Sequence, residues 1–269
     1  MKISPLNPGK EILIAKLDQL EFEGFVEKSD ILECYIPTTK WNNKILDVFY
    51  PLEQQGIDID WFIDTVEEKN WNSVWEQNYS PVFIGESCVI RSVFHKKTKT
   101  NYEIIIKPKM SFGTGHHETT QLIIQELIKN PPVKKNVLDI GSGTGILSIL
   151  SEKLGAKKVD SIDNCEFSMS SAKENFKINK CNKIDFHLGT IDIINSKIYD
   201  NILVNIDKNI IIKEAESYFN KLALNGKIYL SGFYSLDEYQ IVKKIESLNL
   251  KLKRKKTKNK WSLLIFEKT

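Results

Sequence analysis

Two glycine clusters hold most of the residues able to do chemistry in this chain. The first, FGTGHHETT, runs from Phe112 to Thr120; the second, GSGTG, runs from Gly141 to Gly145 and follows the apolar run NVLDI. Glycines such as Gly141 and Gly143 permit φ > 0 and let a ligand lie against bare backbone. Asp163 closes the next apolar run, KVDSID, 22 residues after Gly141. A carboxylate there can accept both hydroxyls of an adenosine ribose, so turn and acid together read as a nucleoside-cofactor signature. A turn for a pyrophosphate usually reads GxGxxG, whereas this one reads GxGxG with Ile146 after it. The shorter form suits a ligand without phosphate, S-adenosylmethionine.

Three further residues belong to the same constellation. Asn205 ends the run NILVN, where its amide can reach a transferred methyl or an acceptor nitrogen; a strand-end cap is the alternative. Thr120 opens a helix, whose unpaired N–H groups attract the methionyl carboxylate, although Thr119 and Thr120 can also simply cap it. Phe112, in the loop before that helix, can cover the ligand. His116 and His117 are adjacent and point different ways with no third ligand in view, so no metal site is expected. Ser231 and Gly232 in LSGFY read as a tight turn.

These residues need a scaffold that brings them to one edge. From residue 136 onward, strands and helices alternate: NVLDI, ILSILSEKLG, KVDSID, FSMSSAKENFKIN, IDFHL, YDNILVNI, IIIKEAESYFNKLAL, KIYLSG, LDEYQIVKKIESL. The chain closes with LKLKRK and WSLLIFE around a lysine-rich turn. Alternation predicts a parallel sheet covered on both faces, and the last two strands add an antiparallel hairpin at its edge. The expectation is a seven-stranded, doubly wound α/β domain. Before it, VFIGESCVIRSVF and YEIIIK read as a strand pair, and TTQLIIQELIKN as a helix halted by Pro131 and Pro132.

The first part of the chain differs in texture and charge. Residues 1–68 hold six lysines, no arginine and fourteen acidic residues, a net −8, which leaves +11 for the remainder of a chain whose total is +3. So sharp a division predicts two units: a small acidic α+β domain at 1–68, a linker at 69–80 and the α/β domain at 81–269. An acidic unit repels nucleic acid and attracts basic protein surfaces; a plain solvated face is the alternative. Trp61, Trp71 and Trp75 near the boundary read as core between the two units. The four cysteines form no CxxC pair, and no signal peptide or 18-residue apolar window is visible. A reduced, cytoplasmic protein is expected, monomeric and off the membrane.

With these residues in place, the chain resembles the ribosomal protein L11 methyltransferase family, PrmA. The family pattern FGTGxHxTT matches Phe112 to Thr120 with His117 at the family histidine; the donor turn matches at Gly141 to Gly145, the ribose acid at Asp163 and the NIL strand end at Asn205. The likeness spans roughly residues 70 to 245, and no distinctive family motif stands in 1–68. The resemblance implies a class I methyltransferase domain behind a substrate-recognition domain. It also implies methylation of the α-amino group and lysine side chains of a large-subunit ribosomal protein. By the same likeness, Thr120, Gly141, Asp163 and Asn205 touch the cofactor. A class I methyltransferase acting on RNA or a small molecule is the rival. It draws on seven Lys or Arg among residues 251–260, which otherwise read as a blunt, soluble sheet edge. Direct nucleic-acid binding is not expected.

Overall fold

In the computed structural model the described residues are 1–28, 31–65, 80–107, 113–194 and 197–269. The chain divides into two compact units, Met1–Val74 and Trp75–Thr269. The first carries a four-stranded antiparallel sheet of β1 (Lys2–Ser4), β2 (Gly24–Lys28), β3 (Ile31–Tyr35) and β4 (Asp58–Asp60), ordered β2-β3-β1-β4. Helices α1 (Leu6–Leu17) and α2 (Phe49–Glu53) supply Leu13, Leu17, Phe49 and Leu52 to one apolar core with Ile3, Leu32 and Ile59. Trp61 tilts against Phe49 at 6.0 Å between ring centres. Trp71 and Trp75 lie outside the described residues.

The second unit is built on seven strands. They are β8 (Asn136–Ile140), β9 (Lys158–Asp163), β10 (Ile184–Leu188), β11 (Tyr199–Asn205), β12 (Leu222–Tyr234), β13 (Leu250–Lys258) and β14 (Trp261–Lys268). Their order is β10-β9-β8-β11-β12-β14-β13. The first five are parallel neighbours, and β14 runs antiparallel between β12 and β13. A central strand such as β8 is apolar on both faces because helices cover both. Val137 faces a core with α3 (Glu118–Lys129), α4 (Ile146–Lys153) and α5 (Glu166–Ile178); Leu138 and Ile140 face one with α6 (Lys208–Lys221) and α7 (Glu238–Glu246). The expected seven-stranded, doubly wound sheet is present.

Four local expectations change. The strand pair ahead of the opening motif is a three-stranded sheet of β5 (Val82–Ile84), β6 (Cys88–Arg91) and β7 (Tyr102–Ile105). There β6 and β7 run parallel, not as a hairpin. Their ten-residue connection is looped, not turned: the Arg91 guanidinium donates to Ser92 O and His95 O and pairs with Glu103 at 2.8 Å. Next, Leu222 leaves helix α6 for β12, where it is buried opposite Tyr199. The strand read as LKLKRK runs on through most of the lysine-rich turn, to Lys258, as β13. Its Lys253, Arg254, Lys255 and Lys256 pair with three carboxylates, Glu267 of β14, Glu126 of α3 and Glu238 of α7, which offset part of the positive charge of the sheet edge. Finally, neither threonine caps α3, because the helix begins at Glu118 and both lie inside its first turn; His117 is the cap residue.

Candidate active site

The carboxyl ends of the parallel strands line up the predicted residues. Strand β8 hands over at Ile140 to Gly141, Gly143 and Gly145, all at positive φ, 66°, 54° and 76°. Two of them also lack room for a side chain. A Cβ on Gly141 would stand 2.3 Å from Ile206 Cγ2, and one on Gly145 2.3 Å from the Phe176 ring. One strand over, Asp163 ends β9 with both carboxylate oxygens engaged: Gly143 N donates to Oδ2 at 2.9 Å and Cys165 N to Oδ1 at 3.0 Å. An ionised carboxylate offers about four acceptor sites. Two remain, the number that a ribose diol needs.

On the other side of the glycine turn, Asn205 ends β11 and donates its amide Nδ2 to Thr120 Oγ1 at 3.2 Å, joining positions 85 residues apart. The Asn205 carbonyl Oδ1 is buried with no hydrogen-bond partner, and so is the Ser142 hydroxyl in the glycine turn. A buried polar atom left unpaired in a protein interior costs about 1–3 kcal/mol, a cost that a ligand's polar group could relieve here. Helix α3 begins at this point. His117 Nδ1 accepts from Thr119 N at 3.4 Å and lies 2.8 Å from Thr119 Oγ1, and its ring meets Trp261 edge-on at 4.5 Å. The opening motif is tied to the glycine turn by a bond from Thr144 Oγ1 to Gly113 O, 2.6 Å. Phe112 lies outside the described residues.

Sequence reasoning missed Asp139, the carboxylate inside NVLDI. It is 1% exposed and accepts the Ser148 hydroxyl at 2.6 Å. Burial pushes its carboxyl up to about 7, opposed by the bonds from Ser148 and aided by the charge of Asp163. A lone acid in an otherwise apolar strand was the available signal. Asn175 was missed as well: its Nδ2 donates to Thr144 O and its Oδ1 accepts from Lys107 N, which fixes the helix side of the turn. Among the described residues no group of three His, Cys, Asp or Glu is placed to hold a metal, and no helix is long and apolar enough to cross a membrane.

The sequence profile of the ribosomal protein L11 methyltransferase family (PrmA) matches residues 12–269. The chain belongs to this family. The ribosomal protein L11 methyltransferase of Phocaeicola vulgatus is 37% identical over 262 residues, covering 95% of this chain and 92% of that one. The same enzyme of Porphyromonas gingivalis is 34% identical over 267 residues, 97% and 91% of the two chains. Among solved structures, a ribosomal protein L11 methylase from Lactobacillus delbrueckii subsp. bulgaricus superimposes with TM-score 0.66 at 25% identity, covering 71% of this chain and all of its own. A methyltransferase from Pyrococcus furiosus, TM-score 0.52 at 21% identity over 61% of this chain and 89% of that one, shares the fold. The chain is thus a PrmA methyltransferase, and the edge where Asp163, the glycine turn and Asn205 meet is its candidate site.

Proposed function

We propose that this enzyme transfers methyl groups from S-adenosylmethionine to amines of ribosomal protein L11, both the α-amino group and lysine side chains. Asp163 would hold the ribose through its two free acceptor sites, and Gly141 and Gly143 would lie against the ligand as bare backbone. The N-terminus of α3 at Thr120 would take the methionyl carboxylate. When bound, the donor supplies an electrophilic methyl on a sulfonium: the carbon–sulfur bond breaks as a carbon–nitrogen bond forms, and the amine then loses a proton.

The protein's task is alignment and desolvation. An amine must be neutral to attack; an α-amino group with a pKa of about 7.7–8.0 partly is, and a lysine near 10.4 is not. Burial beside a cation depresses the lysine value without a dedicated base. Asn205 supports the reading: its Nδ2 is held by Thr120 and its Oδ1 has no partner, so that oxygen would be the acceptor for an N–H of the incoming amine once the site opens to it. That bond would point the nitrogen lone pair along the transfer line, the geometry on which displacement depends. The acidic stretch 1–68, at −8, suits a basic ribosomal protein and is proposed as the recognition unit. An acceptor of this kind implies action in the cytoplasm.

The test is incubation with methyl-labelled donor and ribosomal protein L11, followed by mass-spectrometric mapping of the modified residues. Label on the amino terminus and lysines is expected. Asn205→Ala should lower kcat by about a hundredfold, the loss of one oriented hydrogen bond at the reacting centre, with circular dichroism unchanged. Label on RNA and none on the protein would refute the reading, and unchanged turnover would remove Asn205 from it.

A further inference from the structure

Along the carboxyl edge of the sheet, Asp163 sits on β9, the glycine turn on β8 and Asn205 on β11, in spatial sequence, and the next strands are β12 and β14. On the function proposed above, on which this inference rests, the ribose end lies toward β9. The acceptor must approach opposite the leaving group. It therefore comes in beyond Asn205, over the tips of β12 and β14.

Those tips are shaped for contact. The pairing of β12 with β14 is irregular between Ser231 and Phe233, a bulge at the position beside Asn205. Only glycine fits there: Gly232 has φ 99°, and a Cβ on it would stand 2.3 Å from Ile206 O. Bulges next to active sites re-aim side chains. Here Phe233 goes into the core, 2% exposed, while Tyr234 turns outward with its ring 4.2 Å from that of Trp261. The His117–Trp261–Tyr234 rings thus form a continuous aromatic wall from the start of α3 to the end of β12. Beyond it, Leu236 is 95% and Tyr239 75% exposed, on the turn and the first helical turn that follow. One exposed leucine is ordinary; an aromatic wall, a leucine and a tyrosine within six residues of each other at the mouth of a transfer site are not.

We propose that Tyr234, Leu236 and Tyr239, backed by Trp261, form the ledge on which the polypeptide segment carrying the target amine docks. Tyrosine and tryptophan give large contact area at low entropic cost, and apolar, aromatic patches of this kind suit a protein partner. Two of the bordering cations point the same way, although Lys260, whose carbonyl accepts from Ser235 N, has no carboxylate partner among the described residues. Lys208 is paired with Asp237 at 2.6 Å and Lys255 with Glu238. A phosphate backbone needs cations to neutralise it, and these two are already held by carboxylates.

The test uses the full-length enzyme, ribosomal protein L11 and two measurements. Leu236→Asp and Tyr239→Ala, both at exposed positions, are expected to raise KM for ribosomal protein L11 by about tenfold with kcat within about twofold of wild type. Their affinity for S-adenosylmethionine, by calorimetry, should not change. Backbone amides of residues 234–239 should gain hydrogen-exchange protection when ribosomal protein L11 is added to cofactor-free wild-type enzyme. An unchanged KM, or amides that stay unprotected, overturns the ledge. A wild-type enzyme that transfers nothing to ribosomal protein L11 overturns the functional reading, and the ledge with it. Normal wild-type transfer with an unaffected Leu236→Asp variant overturns the ledge alone.

Discussion

Asp139→Asn isolates one consequence of burial in the site's floor. The carboxyl is 1% exposed, and burial moves it from its ordinary 3.8 to about 7 in the folded protein. Because the folded value is raised, the native state holds the proton more tightly than the unfolded chain does. Below pH 3.8 both states are protonated and burial carries no charge penalty. As pH climbs toward 7 the unfolded chain ionises first, so stability is lost across that window and the loss levels off above it. A shift of this size corresponds to about 4 kcal/mol in all, with about 3 kcal/mol of it falling between pH 5 and pH 8. Asparagine cannot ionise, yet its Oδ1 can still accept the Ser148 hydroxyl. The variant's stability relative to wild type should therefore improve by about 3 kcal/mol on going from pH 5 to pH 8. Urea unfolding of both proteins, followed by circular dichroism at several pH values, reads this directly, because every other titrating group cancels in the difference. A difference that stays flat with pH would mean Asp139 is ionised in the fold, and the burial argument would fail.

Other perturbations test separate contacts. Asp160, whose side chain is 4% exposed, accepts from His187, Lys197 and Tyr199 at 2.6, 3.0 and 2.9 Å, and these bonds outweigh burial to hold its carboxyl below the usual value. Asp160→Asn should lower stability by about 2 kcal/mol at neutral pH, a deficit that shrinks in acid as the native carboxyl takes up its proton; thermal melts at pH 7 and pH 3 would show it. Gly145→Ala drives a Cβ to 2.3 Å from the Phe176 ring at φ 76°. It should cost about 2–3 kcal/mol in denaturant unfolding. Thr144→Val removes the bond to Gly113 O. Calorimetry should show S-adenosylmethionine binding weakened about fivefold, the equivalent of one hydrogen bond near 1 kcal/mol.

Much of the catalytic unit was legible in the sequence because its signals are local. Glycine spacing, an acid at the end of the following strand and the alternation of apolar runs with amphipathic ones each depend only on near neighbours. The misreadings share the opposite property. The VFIGESCVIRSVF and YEIIIK segments look like two arms of a hairpin, yet β6 and β7 run parallel. The loop that allows this is held by Arg91, whose contacts no pattern announces. Lys256 and Lys258 look like part of a turn, because their strand character comes from β14 beside them and from Glu126 on α3. The tip of β12 was read as a tight turn; its bulge exists because the backbone at Ile206 leaves no space for a Cβ on Gly232.

By itself, the sequence determined the doubly wound architecture, the family and the residue types at the candidate edge, since backbone conformation and the alternation of strands with helices follow from residues close together in the chain. Only the tertiary structure decided which of those residues work as a unit. The Asn205 amide is aimed by Thr120, 85 positions away, and the opening motif is tied to the glycine turn through Thr144 and Gly113. Asp139 acquires its raised pKa from the helices and strands that exclude water around it. Hydrogen-bond direction and dielectric environment are properties of assembled neighbours, and neighbours distant in sequence meet only once the chain has folded.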